Sequence, residues 1–152
     1  RGCIGGSMLA AIEVARLLVP PNRLILSLGE RGGQINYMSR QPALKVGSIA
    51  ILQDKETASA AEILIAALIE NLPSQVVSRG EPSLGKGVVQ EEIKLAGGGQ
   101  LRLTTGMIFG PGGKSWNGTG LRPSFGPDGP VQVYSAKAPV LSNAVRTLRT
   151  EQ

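Results

Sequence analysis

Apolar positions in the first twenty residues recur at helical spacing: Met8, Ile12, Ala15 and Val19 fall on one face, with Glu13 and Arg16 on the other. Pro20 and Pro21 stop the pattern, so a helix is predicted over 7–19. RLILSLG then reads as a strand, ERGG as a turn and QINYM as the returning strand of a hairpin. The short apolar run SIAIL (48–52) has the character of a strand buried in a parallel sheet. A second helix is predicted in SAAEILIAALIEN, ended around Asn71–Pro73, and QVVS follows as another short strand. From Val88 the period changes to two. VVQEEIKL, a turn at AGGG and QLRLTTGMIF give a strong hairpin signal. Residues 110–130 hold seven Gly and four Pro and read as an irregular surface segment. APVLSNAVRTLR closes the sequence as an amphipathic helix, with Val140, Leu141, Ala144, Val145 and Leu148 inward. Helices interleave with strands throughout, which makes the class α/β.

Composition narrows the possibilities. The 152 residues suit one domain, or most of one, with 41% apolar and 18% charged residues. No apolar run approaches the ~20 residues that span a bilayer, so a soluble chain is expected. A net charge of +5 raises the question of nucleic acid, but the basic residues are dispersed and aromatic platforms are few, at 3%. No nucleic-acid partner is expected. Cys3 is the single cysteine and there is no histidine, so neither a disulfide framework nor a metal site is expected. No charged stretch followed by an apolar one opens the sequence, which begins without Met; no targeting segment is legible.

Two stretches carry possible chemistry. In ETASAAEI (56–63), Ser59 stands at the mouth of an apolar helix, where a hydrolase can keep a nucleophile. The structural alternative is a capping box, Ser59-x-x-Glu62. The two are compatible, because the N–H after such a serine points to where an oxyanion would develop. Without histidine, its proton acceptor would have to be a carboxylate, a lysine or an N-terminal amine. Lys86 draws notice because GEPSLGKG places it between two glycines, which permit close backbone approach. An ordinary exposed loop lysine is the competing reading. The same stretch nearly spells a phosphate-binding loop, Gly80, four residues, Gly85, Lys86. Gly87 stands where Ser or Thr must hold the metal, however, and a strand rather than a helix follows.

ETASAAEI, then GEPSLGKGVVQ, then LRLTTGMIFGPGGKSWNGTGLRPS together resemble the C-terminal processing peptidases, or tail-specific proteases. That family comprises serine proteases with a Ser–Lys dyad on a Clp-protease/crotonase-like α/β core. The opening RGCIGGSMLAAIEVARLLVP is similar to its Arg-x-Asn-x-Gly-Gly segment and the following helix, so the resemblance runs from residue 1 to about 149. It implies one catalytic-domain portion over 1–152, without the upstream strand and helices of the core or the PDZ domain that captures substrate tails. It implies Ser59 as nucleophile, Lys86 as general base and Gln90, four residues on, as an amide that orients the amine. The backbone N–H groups of Ala60 and of Gly5 or Gly6 match the oxyanion hole. Glu62 is expected to cap the helix and support the site, and Glu70 to face solvent beside it. Glu56-Thr57 stand where the family more usually has Gly-Ser, and Cys3-Ile4 where it has Asn-Pro.

The implied activity is cleavage of proteins near their C-termini, with no cofactor, and with protein or peptide substrates held by their C-terminal segments. The implied compartment is extracytoplasmic: periplasm, cell envelope or thylakoid lumen. An incomplete or inactive protease-like domain serving in binding or assembly is the other function class. An exposed lysine is protonated at neutral pH, and one that acts as a base must lose about three pH units of basicity through desolvation. The loop lysine is therefore expected to point into the protein.

Overall fold

The computed structural model describes residues 1–126. Ser7 caps the first helix, α1 (Met8–Leu18), its hydroxyl oxygen accepting the N–H of Ala10 at 3.3 Å. Ile12, Ala15 and Val19 are buried and Glu13 is exposed, as the helical spacing requires. The chain then turns into β1 (Leu24–Glu30), which pairs antiparallel with β2 (Gly33–Met38). After β3 (Ile49–Gln53) come α2 (Ala60–Asn71), β4 (Val76–Gly80), β5 (Val88–Lys94) and β6 (Gln100–Phe109). The expected elements are thus present to within a residue or two at their ends. The helix expected near the end of the sequence lies outside the described residues.

Two sheets form. One is antiparallel in the order β2-β1-β6-β5; the other is the parallel pair β3-β4, joined by the α2 crossover. β1 lies inside the sheet between β2 and β6 with α1 and α2 against it, and Ile25, Leu26, Ser27 and Leu28 are all buried. α2 is buried on most of its circumference, which explains why its sequence is almost wholly Ala, Leu and Ile. Ile12, Leu26, Ile63, Ala67 and Ile108 form one core cluster across α1, β1, α2 and β6. Full burial of each large aliphatic side chain contributes about 1.5–3 kcal/mol. Trp116, from the irregular segment after β6, is only 3% exposed and belongs to the same cluster, so that segment is anchored rather than loose.

The β5–β6 hairpin turns through Gly98 and Gly99, both at positive φ. Its ladder carries an irregularity between Val89 and Gln90. Residues 90–104 are exposed on both faces, so the hairpin extends beyond the core as an arm.

Candidate active site

α2 begins with a sharp turn rather than an ordinary cap. Ser59 has φ 56° and ψ −122°, a region that L-residues with a side chain rarely occupy. The N–H of Glu62 is taken by the Ser59 carbonyl at 2.8 Å, and the Ser59 hydroxyl makes no well-formed capping bond. The reciprocal half of the box is strong, since the Glu62 carboxylate accepts the Ser59 backbone N–H at 2.8 Å. The capping box sets the Ser59 oxygen toward the Glu62 N–H as an acceptor only, which leaves its O–H hydrogen for chemistry.

The turn is fixed from the N-terminal side. The carbonyl of Cys3 accepts the N–H of Ala58 at 2.9 Å. Gly5, at φ +91°, lies so close that a Cβ there would come within 2.6 Å of the Ala58 carbonyl oxygen and 2.9 Å of the Ala60 nitrogen. Only glycine fits. Asp54 secures the same junction: its carboxylate accepts the N–H groups of Gly2 and Glu56 and the Thr57 hydroxyl at 3.0–3.1 Å. Burial works against the charge on Asp54, but these hydrogen bonds outweigh it and hold the carboxyl below the ordinary aspartate value.

Glu62 connects this turn to the lysine loop. It is fully buried, and its two oxygens accept four hydrogen bonds: Ser83 Oγ at 2.6 Å and Gly85 N–H at 2.7 Å on Oε1, Ser59 N–H and Lys86 N–H at 2.8 Å each on Oε2. A carboxylate has about four acceptor sites, and all are filled. The first turn of α2 adds its dipole to that stabilisation. Capping was legible in the spacing of Ser59 and Glu62; the reach to residues 83–86 was not.

Gly6, Ser59, Lys86 and Gln90 line one cavity of about 230 Å³, walled by Met8, Ile63, Val88, Val89 and Ile108. Gly5 and Ala60 border the adjoining groove on the other side of the turn, together with Gly6. The structure therefore brings Ser59, Lys86, Gln90, Gly5, Gly6, Ala60 and Glu62 together.

Three details differ from the sequence expectations. Lys86 is exposed rather than turned into the protein: Glu62 and residues 116–121 hold the backbone of its loop, and among the described residues its side chain is left on the open side. Lys86 and Gln90 do not share a strand face by even spacing: Lys86 precedes β5, and the irregularity after Val89 resets the register before Gln90. The Gln90 amide instead donates to Thr104 Oγ1 across the hairpin at 3.4 Å. Glu70 is not part of the site. It lies eight residues beyond Glu62, about 12 Å along the axis, and its carboxylate accepts the Gly112 N–H in the turn after β6.

Residues that sequence reasoning missed stand behind the loop. Ser83, 6% exposed, donates to Glu62 and accepts the N–H of Leu121 at 2.7 Å. Asn117 Oδ1 accepts the Gly87 N–H at 3.2 Å. The serine in GEPSLGKG was the one available signal. Among the described residues no helix is long and apolar enough to cross a membrane.

Residues 1–126 match Peptidase family S41, and the chain belongs to that family. Among its relatives, the carboxy-terminal processing protease CtpB of Bacillus subtilis is 31% identical over 141 residues, covering 88% of this chain and 29% of that protein. Carboxyl-terminal-processing peptidase 1, chloroplastic, of Arabidopsis thaliana is 30% identical over 127 residues, covering 82% and 26%. A solved photosystem II D1 C-terminal processing protease superposes with a TM-score of 0.71 at 27% identity, over 80% of this chain and 31% of that one. The fold is that of part of the α/β core of such a peptidase. The chain spans about a quarter of the length of these curated relatives.

Proposed function

We propose that this chain carries the catalytic portion of a serine endopeptidase that cleaves proteins near their C-termini through a Ser59–Lys86 dyad. The observation that supports it most is the strained Ser59 turn opening on the same cavity as Lys86 and Gln90. In this reading the neutral Lys86 amine takes the proton of the Ser59 hydroxyl as the oxygen attacks a peptide carbonyl. The oxyanion is met by the N–H of Ala60 and one from Gly5 or Gly6. Lys86 returns the proton to the leaving amine, and water, deprotonated in turn, releases the acyl group. Gln90 orients the amine. The substrates would be proteins presenting a C-terminal segment, in an extracytoplasmic or thylakoid setting; two of the relatives are named as chloroplastic.

A second reading has its own observation: Lys86 is exposed, as a working base is not expected to be, and the chain covers only part of its relatives. On that reading the chain is an incomplete protease-like domain that binds or assembles. A fluorophosphonate probe separates the two. Covalent labelling that vanishes in Ser59→Ala and in Lys86→Arg supports the dyad, since arginine keeps its charge and cannot act as a base. Labelling retained in Ser59→Ala, or none in the wild type, supports the second reading.

A further inference from the structure

We propose that Ser83 is a positioning residue for the proton acceptor, locking the lysine loop between Glu62 and the Trp116–Leu121 segment. The proposal rests on reading Lys86 as the base. The Ser83 hydroxyl donates to Glu62 Oε1 at 2.6 Å and accepts the Leu121 N–H at 2.7 Å, while its own N–H reaches the Leu121 carbonyl at 3.1 Å. One buried side chain therefore joins the carboxylate that holds the Ser59 turn to the strip of chain behind the loop.

That strip is built to hold. Trp116 anchors it in the core, and its carbonyl accepts the N–H of Gly120 at 2.9 Å. Gly118 N–H reaches the Gly85 carbonyl at 2.8 Å. The backbones meet too closely for side chains: a Cβ on Gly85 would lie 2.7 Å from the Gly120 nitrogen, and one on Gly120 would lie 2.1 Å from the Ser83 carbonyl oxygen. Gln53, fully buried, fixes the far end, its amide donating to the carbonyls of Leu121 at 2.7 Å and Glu81 at 3.0 Å. Lys86 itself has an exposed side chain, so the placement of its amine depends on the backbone from which it springs. Glu62 sets one side of that backbone and residues 116–121 the other. Ser83 is the side chain common to both.

The test compares the full chain with Ser83→Ala and Ser83→Thr. In Ser83→Ala, backbone exchange at Gly85 and Lys86 should accelerate about tenfold or more relative to Ala66 and Ala67 in α2, because the Leu121 N–H and Glu62 lose a shared partner. Acylation by a peptide ester, per probe-titrated site, should fall about 10- to 100-fold in kcat with KM little changed, the effect of misplacement rather than of lost binding. Ser83→Thr, which keeps the hydroxyl, should restore both. Loop exchange within twofold of wild type overturns the proposal, as does loosened exchange with an unchanged kcat, or a kcat loss that Ser83→Thr does not restore while it restores exchange. A wild-type chain that does not acylate overturns the dyad reading instead, and Ser83 is then judged on loop exchange alone.

Discussion

The backbone N–H of Ser59 and the backbone N–H of Lys86 converge on one oxygen, Oε2 of Glu62, each at 2.8 Å. The proposed nucleophile and base are thus set relative to each other by a third residue through the main chain, without a hydrogen bond between their side chains. Removing Glu62 strips four donors of their acceptor in a buried place. Glu62→Ala is expected to cost about 3 kcal/mol or more, the range for leaving buried polar groups unpaired. Glu62→Gln keeps the shape but points amide hydrogens at N–H donors, so it should lose stability as well. Chemical unfolding measures both; a loss below about 1 kcal/mol in Glu62→Ala would show that the hub carries little.

Strain at Ser59 has a measurable counterpart. Glycine adopts φ 56°, ψ −122° without the Cβ clash, so Ser59→Gly should abolish probe labelling while raising stability by about 1 kcal/mol. Ser59→Ala should be equally unreactive with no such gain. Equal melting temperatures for the glycine and alanine variants would count against strain at this turn.

Gly5→Ala tests the wall of the proposed oxyanion site. The added methyl has no room between Ala58 and Ala60, and the positive φ disfavours alanine as well. The expected outcome is a loss of about 2 kcal/mol in unfolding free energy and of probe labelling. Gly6→Ala, where a Cβ meets nothing within 4 Å, should be much milder in stability.

Two pH effects of opposite origin are expected. Asp54 is held below its ordinary value in the folded chain, so its contribution to stability is present at neutral pH. That contribution fades as pH falls from the unfolded carboxylate range through the lowered folded value. Asp54→Asn should flatten the acid limb of a stability–pH curve. On the proposed dyad, acylation uses the neutral amine of Lys86 and should climb with rising pH. Glu70→Gln should leave that climb unmoved, because Glu70 is engaged at the far end of α2. An unchanged climb in Lys86→Ala would assign the base elsewhere.

The sequence was informative where the physics is local. The 3.6 period of α1, the parallel character of β3, the Ala-rich run of α2 and the period-two hairpin all depend on neighbours within a few residues, and each element stands where its pattern put it. The family motifs located Ser59, Lys86 and Gln90 on one cavity. What was hidden depends on long-range closure. Nothing in a serine's identity announces a positive φ, which is imposed by Cys3 and Gly5 from a distant stretch of chain. The exposure of Lys86 likewise depends on which segments remote in sequence, Glu62 and residues 116–121, hold its loop. Glu70 read as a neighbour of the site because it shares a helix with Glu62, yet helical rise carries it to the opposite end.

The irregularity between Val89 and Gln90 divides one ribbon into two regimes. On the near side, Val89 packs against the core beside Ile108 and cannot leave without opening the molecule. On the far side, Ile93, Leu101 and Leu103 stand over 40% exposed, and the ladder has water on both faces. Such a ribbon unzips from its tip at a free energy well below that of global unfolding. Opening of that kind is expected to stop where the ladder changes step, which makes Val88 and Val89, in the cavity wall, the root of the projecting tongue.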